Sequence, residues 1–95
     1  MEQLTSAIST AIEKLPKEFT THELILKVAK LNQHAYIEAL HSQLDKENPF
    51  QSLHAKIGKF LGEFNSITNT KTTKTDSDIF GQRSENAVWI KAAQS

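Results

Sequence analysis

The apolar residues of this chain change period once, and that change limits what it can fold into. From Leu4 to Phe64 they recur at helical spacing; after Asn65 the sequence turns threonine-rich and β-branched and closes with the alternating segment "NAVWIKA" at 86–92. A 3.6-residue period cannot give a strand one apolar face, and a two-residue period cannot give one to a helix. The expectation is therefore a set of helices followed by a β-hairpin. Its strands would lie at 66–75 and 86–92, separated by the turn-like stretches "TDSD" and "GQRSEN".

Boundaries within the helical part can be read from caps. Leu4, Ala7, Ile8, Ala11, Ile12 and Leu15 form one stripe that stops at Pro16, which marks the first helix. Thr20 and Glu23 then make a capping box, with Phe19 and Leu24 as a hydrophobic staple, so a second helix starts at about Thr21. Leu24, Val28 and Leu31 share a face that Ile37, Leu40 and Leu44 do not continue. This predicts a break near Asn32 and a third helix from about Gln33 to Leu44 that turns Tyr36, Ile37, Leu40 and Leu44 inward; one long helix over 21–44 is the alternative. A last helix begins with Asn48 as N-cap, Pro49 at N1 and Gln51 at N3. Phe50, Leu53, Ile57, Phe60, Leu61 and Phe64 give it a core face through residue 64, and Asn65 suits a left-handed C-cap.

Ninety-five residues with 38% hydrophobic content make one small domain over 1–95, with a core too modest for a deep catalytic cleft. The absence of cysteine removes disulfides and thiolate zinc sites and fits a reducing compartment. No basic segment followed by an apolar run opens the sequence, and no stretch approaches the length of a membrane span, so a soluble, cytoplasmic protein without a membrane partner is expected. The chain is neutral overall, but residues 1–49 carry five lysines against seven acids and residues 50–95 six basic groups against four acids. The cations are therefore biased toward the C-terminal half.

Catalytic signatures are missing. There is no G-x-S-x-G, no phosphate-binding glycine loop, no pair of carboxylates on a shared helical face, and no Ser/His spacing that suggests a triad. His34 and His41 stand seven apart, too far to share an ion across one helical turn, and His22 and His54 have no ligand-spaced carboxylate. The acidic "DSD" lacks the Gly and Glu of a calcium loop. An enzyme, a metal site, a cofactor and a small-molecule substrate are all unexpected on these grounds.

Helices followed by a terminal hairpin, with an extended stretch around Phe19, give the element order of a winged helix-turn-helix. "AKIGKFLGEFNSITNTKT" followed by "NAVWIKA" resembles the recognition helix, first wing strand, basic wing loop and closing strand of bacterial and phage DNA-binding domains of that superfamily. The small residue beside an inward aliphatic (Gly58 beside Ile57) and the turn at Phe60 and Leu61 are similar to that family's helix. The stretch 32–48 is longer than its usual turn between helices 2 and 3. The resemblance implies a mainly α fold with three to four helices and a wing, which binds double-stranded DNA. It would act as a regulator or as the DNA-contacting module of a replication, repair or mobile-element system.

On the wheel of helix 49–64 the outward stripe holds Ser52, Ala55, Lys59, Gly62 and Glu63, flanked by Gln51, Lys56 and Gly58. In a major groove the small residues of this face, Ala55 among them, would let the backbone approach, while Gln51, which can pair with adenine, Ser52, Lys56 and Lys59 would reach bases or phosphates. Lys71 and Lys74 are placed in the wing loop with hydroxyl neighbours, and Arg83 is either a third cation or a turn residue without a partner. Gly58 and Gly62 each cost about 1 kcal/mol inside a helix. What comes close to them is DNA, a neighbouring helix of the same domain such as the first, or a protein partner. A protein-interaction module on the same scaffold is the alternative function, and a homodimer through the small-residue stripe is a third arrangement. Trp89 reads either as a core anchor or as an exposed aromatic for a partner.

Overall fold

The computed structural model describes residues 2–92; residue 1 and residues 93–95 of the expected domain lie outside them. Four helices, α1 (Glu2–Lys14), α2 (Thr21–Leu31), α3 (Gln33–His41) and α4 (Pro49–Leu61), combine with strands β1 (Glu18–Thr20), β2 (Ile67–Ser77) and β3 (Arg83–Lys91). The three strands form one antiparallel sheet in the order β1-β3-β2, so the C-terminal hairpin takes its third strand from the stretch between α1 and α2. The result is a compact α+β domain, helix-rich with a hairpin.

The apolar stripe of α1 is buried from Leu4 to Leu15 and meets Leu24, Ile25 and Val28 of α2 and Leu53, Ile57 and Leu61 of α4 in one core. Trp89 belongs to it, paired across the sheet with Phe19 and 4% exposed, which makes it an anchor. Its indole Nε1 donates to the hydroxyl of Thr21 at 2.9 Å, giving the polar end of the ring a partner. The capping box forms as expected: Thr20 Oγ1 accepts from the Glu23 N–H, and Glu23 Oε1 accepts from the Thr20 N–H. At the C-terminal end of β3, the Lys91 amine donates to the Leu15 carbonyl at 2.6 Å, fastening the sheet to the exit of α1.

The break at Asn32 is present and α3 starts at Gln33, but its inward face differs from expectation. Tyr36 is buried, whereas Ile37 and Leu44 stand 58% and 63% exposed and Leu40 is half-buried. The reason lies in Gln43, which is buried in the turn after α3 and accepts the Ser52 hydroxyl at 2.7 Å. That bond fixes the turn in a register that points Leu44 outward.

α4 ends at Leu61, three residues earlier than its apolar pattern extends. Gly62 is the cap, in right-handed helical conformation at φ −64°, and the N–H groups of Gly62, Glu63 and Phe64 bond three residues back in a tightened last turn. Asn65 is no left-handed cap: among the described residues Lys71 is the sole non-glycine with positive φ. Gly62 therefore needs no glycine for its backbone.

The hairpin is longer and differently divided than the sequence suggests. Its turn is Asp78–Gln82, so Lys71 and Lys74 sit on β2 and not in the loop, and Arg83 opens β3. Asn69 pairs with Trp89 and Thr73 with Ala87, which leaves Thr70, Lys71 and Thr72 bulged opposite Val88. Lys71, at φ 69°, is the pivot of that bulge. Thr70 closes it, its hydroxyl donating to the Val88 carbonyl at 2.9 Å.

Candidate functional site

Three consecutive residues at the start of α2 hold the hairpin. Thr20 donates its hydroxyl proton to Asp76 Oδ2 at 2.8 Å, Thr21 receives the Trp89 indole, and the His22 N–H, an orphan donor of the first helical turn, is taken by Asn86 Oδ1 at 2.8 Å. His22 Nδ1 donates to Asp76 Oδ1 at 2.7 Å, and the Asn86 amide donates to the same oxygen. Burial pushes the Asp76 carboxyl up, but the hydrogen bonds from Thr20, Asn86 and His22, with the His22 charge, outweigh it and hold the group below the ordinary carboxylate range. One carboxylate thus gathers both strands of the hairpin onto the N-terminus of α2.

With Nδ1 committed to Asp76, His22 Nε2 is left toward Ser84 Oγ at 3.5 Å. Ser84, His22 and Asp76 therefore stand in a row that sequence spacing gave no sign of. The Ser–His separation is long for a hydrogen bond, and the shortest distances in the row belong to the bonds that attach the hairpin.

His22 and Ser84 also form one wall of a cleft of about 510 Å³ between the hairpin tip and the first turns of α4. Phe50, Gln51, His54 and Ala55 supply the helix side, and Asp78, Ile79, Phe80 and Gln82 the tip. The tip is fixed by its own hydrogen bonds: Asp78 Oδ1 accepts the N–H groups of Phe80 and Gln82, and Gly81 adopts φ +83°, a conformation that favours glycine. Phe80 is held 58% exposed, its ring in a T-shaped contact with Phe50 at 4.9 Å between centroids. Beneath them His54 and the Tyr36 hydroxyl are hydrogen-bonded at 2.6 Å. Burial lowers the His54 value, partly offset by Asp78, and raises that of Tyr36, so the contact is between neutral groups near pH 7.

Gln51, Ala55, Lys56 and Lys59 are exposed on α4, as their helical positions imply. Ser52 is instead half-buried and committed to Gln43. Lys56 and Lys59 border a shallow hollow with Phe60 and Glu63. Lys71 and Lys74 are exposed on β2, and among the described residues none of these four lysines is in an ion pair. Arg83 has a partner: its guanidinium donates to the Thr75 carbonyl at 3.1 Å.

Gly58 does not point to open solvent. A Cβ there would lie 3.7 Å from Thr21 Cγ2, so its neighbour is the start of α2, not α1. That is ordinary van der Waals distance, and an alanine would fit. At Gly62 the nearest atom to a Cβ is the Lys59 carbonyl oxygen at 3.4 Å. Neither glycine is required by a close intramolecular approach.

Sequence reasoning missed His22, Asp76, Asn86 and Phe80. The first three have partners 54 or more residues away or lie on the strands they join, and no local period encodes that. Phe80 carried a usable signal, since "DIFGQ" is an Asp-initiated turn with glycine at the strained position. Among the described residues no cluster of three or more metal-ligating side chains occurs, and no helix is long and apolar enough to cross a membrane. Comparison with known proteins gave no matching family model, no matching curated protein and no matching solved structure.

Proposed function

We propose that this is a DNA-binding domain of the winged helix-turn-helix type, with α4 as the groove-reading helix and the β2–β3 hairpin as the wing. The observation that carries the reading is the return of the hairpin: it leaves the end of α4 and folds back until its tip stands against the first turns of that helix. Helix and hairpin then form one two-part surface, and β1 braces it through β3. In this reading Gln51 contacts a base edge, Ala55 allows the helix close to the groove floor, and Lys56, Lys59, Lys71 and Lys74 contact phosphates. That none of those lysines is ion-paired among the described residues supports it, because an unpaired cation is available for counterion release. Ser52 and Arg83 have smaller parts, since their polar groups are already used.

A protein-interaction module is the second reading, and the exposed Ile37 and Leu44 favour it. Fluorescence anisotropy with a labelled duplex over a salt series separates the two. The DNA reading expects affinity to fall steeply with salt. It also expects a variant with alanine at Lys56, Lys59, Lys71 and Lys74 to lower the slope of log K against log salt by roughly 3 to 4. Binding that ignores both salt and the four substitutions contradicts it.

A further inference from the structure

We infer that the cleft between the hairpin tip and α4 accepts an unpaired nucleobase, so that the domain prefers DNA able to present one at a bulge or a mismatch. The inference rests on the DNA-binding reading and adds a substrate class to it. Its volume, about 510 Å³, lies within the roughly 300–1,000 Å³ of small-ligand pockets.

Charge disfavours the other part of a nucleotide. Among the described residues no lysine or arginine lines the cleft; its titratable groups are the Asp78 carboxylate, His54, whose proton affinity burial lowers, and His22, which is already bonded to Asp76, so a phosphate finds no fixed cation there. A base suits the same lining. Gln51 and Gln82 offer paired amide donors and acceptors, and Asp78 keeps Oδ2 for an exocyclic amine while Oδ1 holds the turn. Phe80 supplies the π-surface: it packs perpendicular to Phe50, at an interplanar angle of 87°, and more than half of the residue stays open. An exposed phenylalanine on a turn fixed by hydrogen bonds to the Asp78 carboxylate pays little ordering entropy on stacking. Gln51 and Ala55 belong both to the cleft and to the exposed face of α4, so a base extruded from a duplex lying along that helix has a direct route in.

The test uses two duplexes of one sequence, one fully paired and one with a single 2-aminopurine bulge, titrated with the whole chain. The wild type is expected to bind the bulged duplex about tenfold more tightly and to quench the 2-aminopurine, as stacking of one base on an aromatic ring allows. Phe80→Ala should abolish the preference and the quenching while leaving affinity for paired DNA within about twofold. Phe80→Tyr should restore both, whereas Phe80→Leu, which keeps apolar bulk without a ring, should not; the Leu variant also guards against a folding effect of Ala. Salt-sensitive binding of both duplexes with equal affinity and no quenching would overturn the base cleft alone. Salt-insensitive or absent binding of both would overturn the DNA-binding reading, and the cleft inference with it. Capture of an aromatic peptide with no response to the bulge would reassign the cleft to a protein partner and overturn the inference.

Discussion

The core joining α1, α2 and α4 and the seam joining α2 to the hairpin hold the molecule together by opposite means. The core is wholly apolar, built from Leu4, Ile8, Leu24, Val28, Leu53, Ile57 and Leu61, all at most 2% exposed. The seam is polar: Thr20, His22, Asp76 and Asn86 share one hydrogen-bonded cluster around a carboxylate. Burial of the first kind is non-directional and tolerates modest repacking. A cluster of the second kind specifies angle, because each donor must meet its acceptor in line. The position of the hairpin relative to α4, on which the proposed interface depends, is thus set by the seam, while overall stability comes from the core.

The sharpest test of this division is a pair of truncations. Trp89→Ala removes a core aromatic that also bonds to Thr21, and should cost about 3–5 kcal/mol in urea unfolding. Asp76→Ala strands the Thr20 hydroxyl, the His22 ring N–H and the Asn86 amide, and should cost less, about 1–3 kcal/mol. In the Asp76 variant the amide resonances of α1 should keep their positions while those of the hairpin move. A loss shared evenly by both regions would break the comparison.

Acid should loosen the two regions at different pH values. The folded His54 value lies below its ordinary one, so the unfolded chain binds the proton first, and stability present above about pH 6.5 declines as the pH falls through the folded value. Asp76 is likewise depressed. Its contribution, complete above about pH 4, is lost as the pH falls further through its folded value. Stability measured against pH should show both limbs, with His54→Gln removing the upper and Asp76→Asn the lower. Unchanged limbs in those variants would remove the two groups from the account.

The smallest effect concerns Gly58. Because a methyl group would rest at contact distance from Thr21, Gly58→Ala should stabilise the protein by about 0.5–1 kcal/mol. If the same variant loses duplex affinity, the glycine is retained for the partner and not for the fold. If it is destabilised, α2 and α4 are packed more tightly at that point than the 3.7 Å distance implies.

Much of this architecture is legible in the sequence because local rules dictate it. The Thr20–Glu23 box, the Asn48–Pro49 start, the break at Asn32 and the strand character after Asn65 all rest on residues a few positions apart. The register of α3 is not legible: Ile37 and Leu44 have the periodicity of buried residues, but the Gln43–Ser52 bond, made across the loop to α4, decides which face turns in. The early end of α4 has a similar cause. Phe64 continues the apolar stripe and is still partly packed against the core, yet it is reached by a tightened turn and not by another helical turn. Of the candidate contact residues, exposure on α4 follows from periodicity and Lys71 and Lys74 lie within the strand expected at 66–75, whereas the true position of the turn is encoded by "DIFGQ" less visibly than by "TDSD".

The central claim, that α4 and the hairpin act as one DNA-contacting surface, is tested most directly by following backbone amide resonances during titration with a short duplex. Salt-sensitive shifts are expected to concentrate at residues 51–59 and 69–83, with α1 and the exposed face of α3 around Ile37 unmoved. Shifts confined to the Ile37 and Leu44 face, or none on adding DNA, would contradict it.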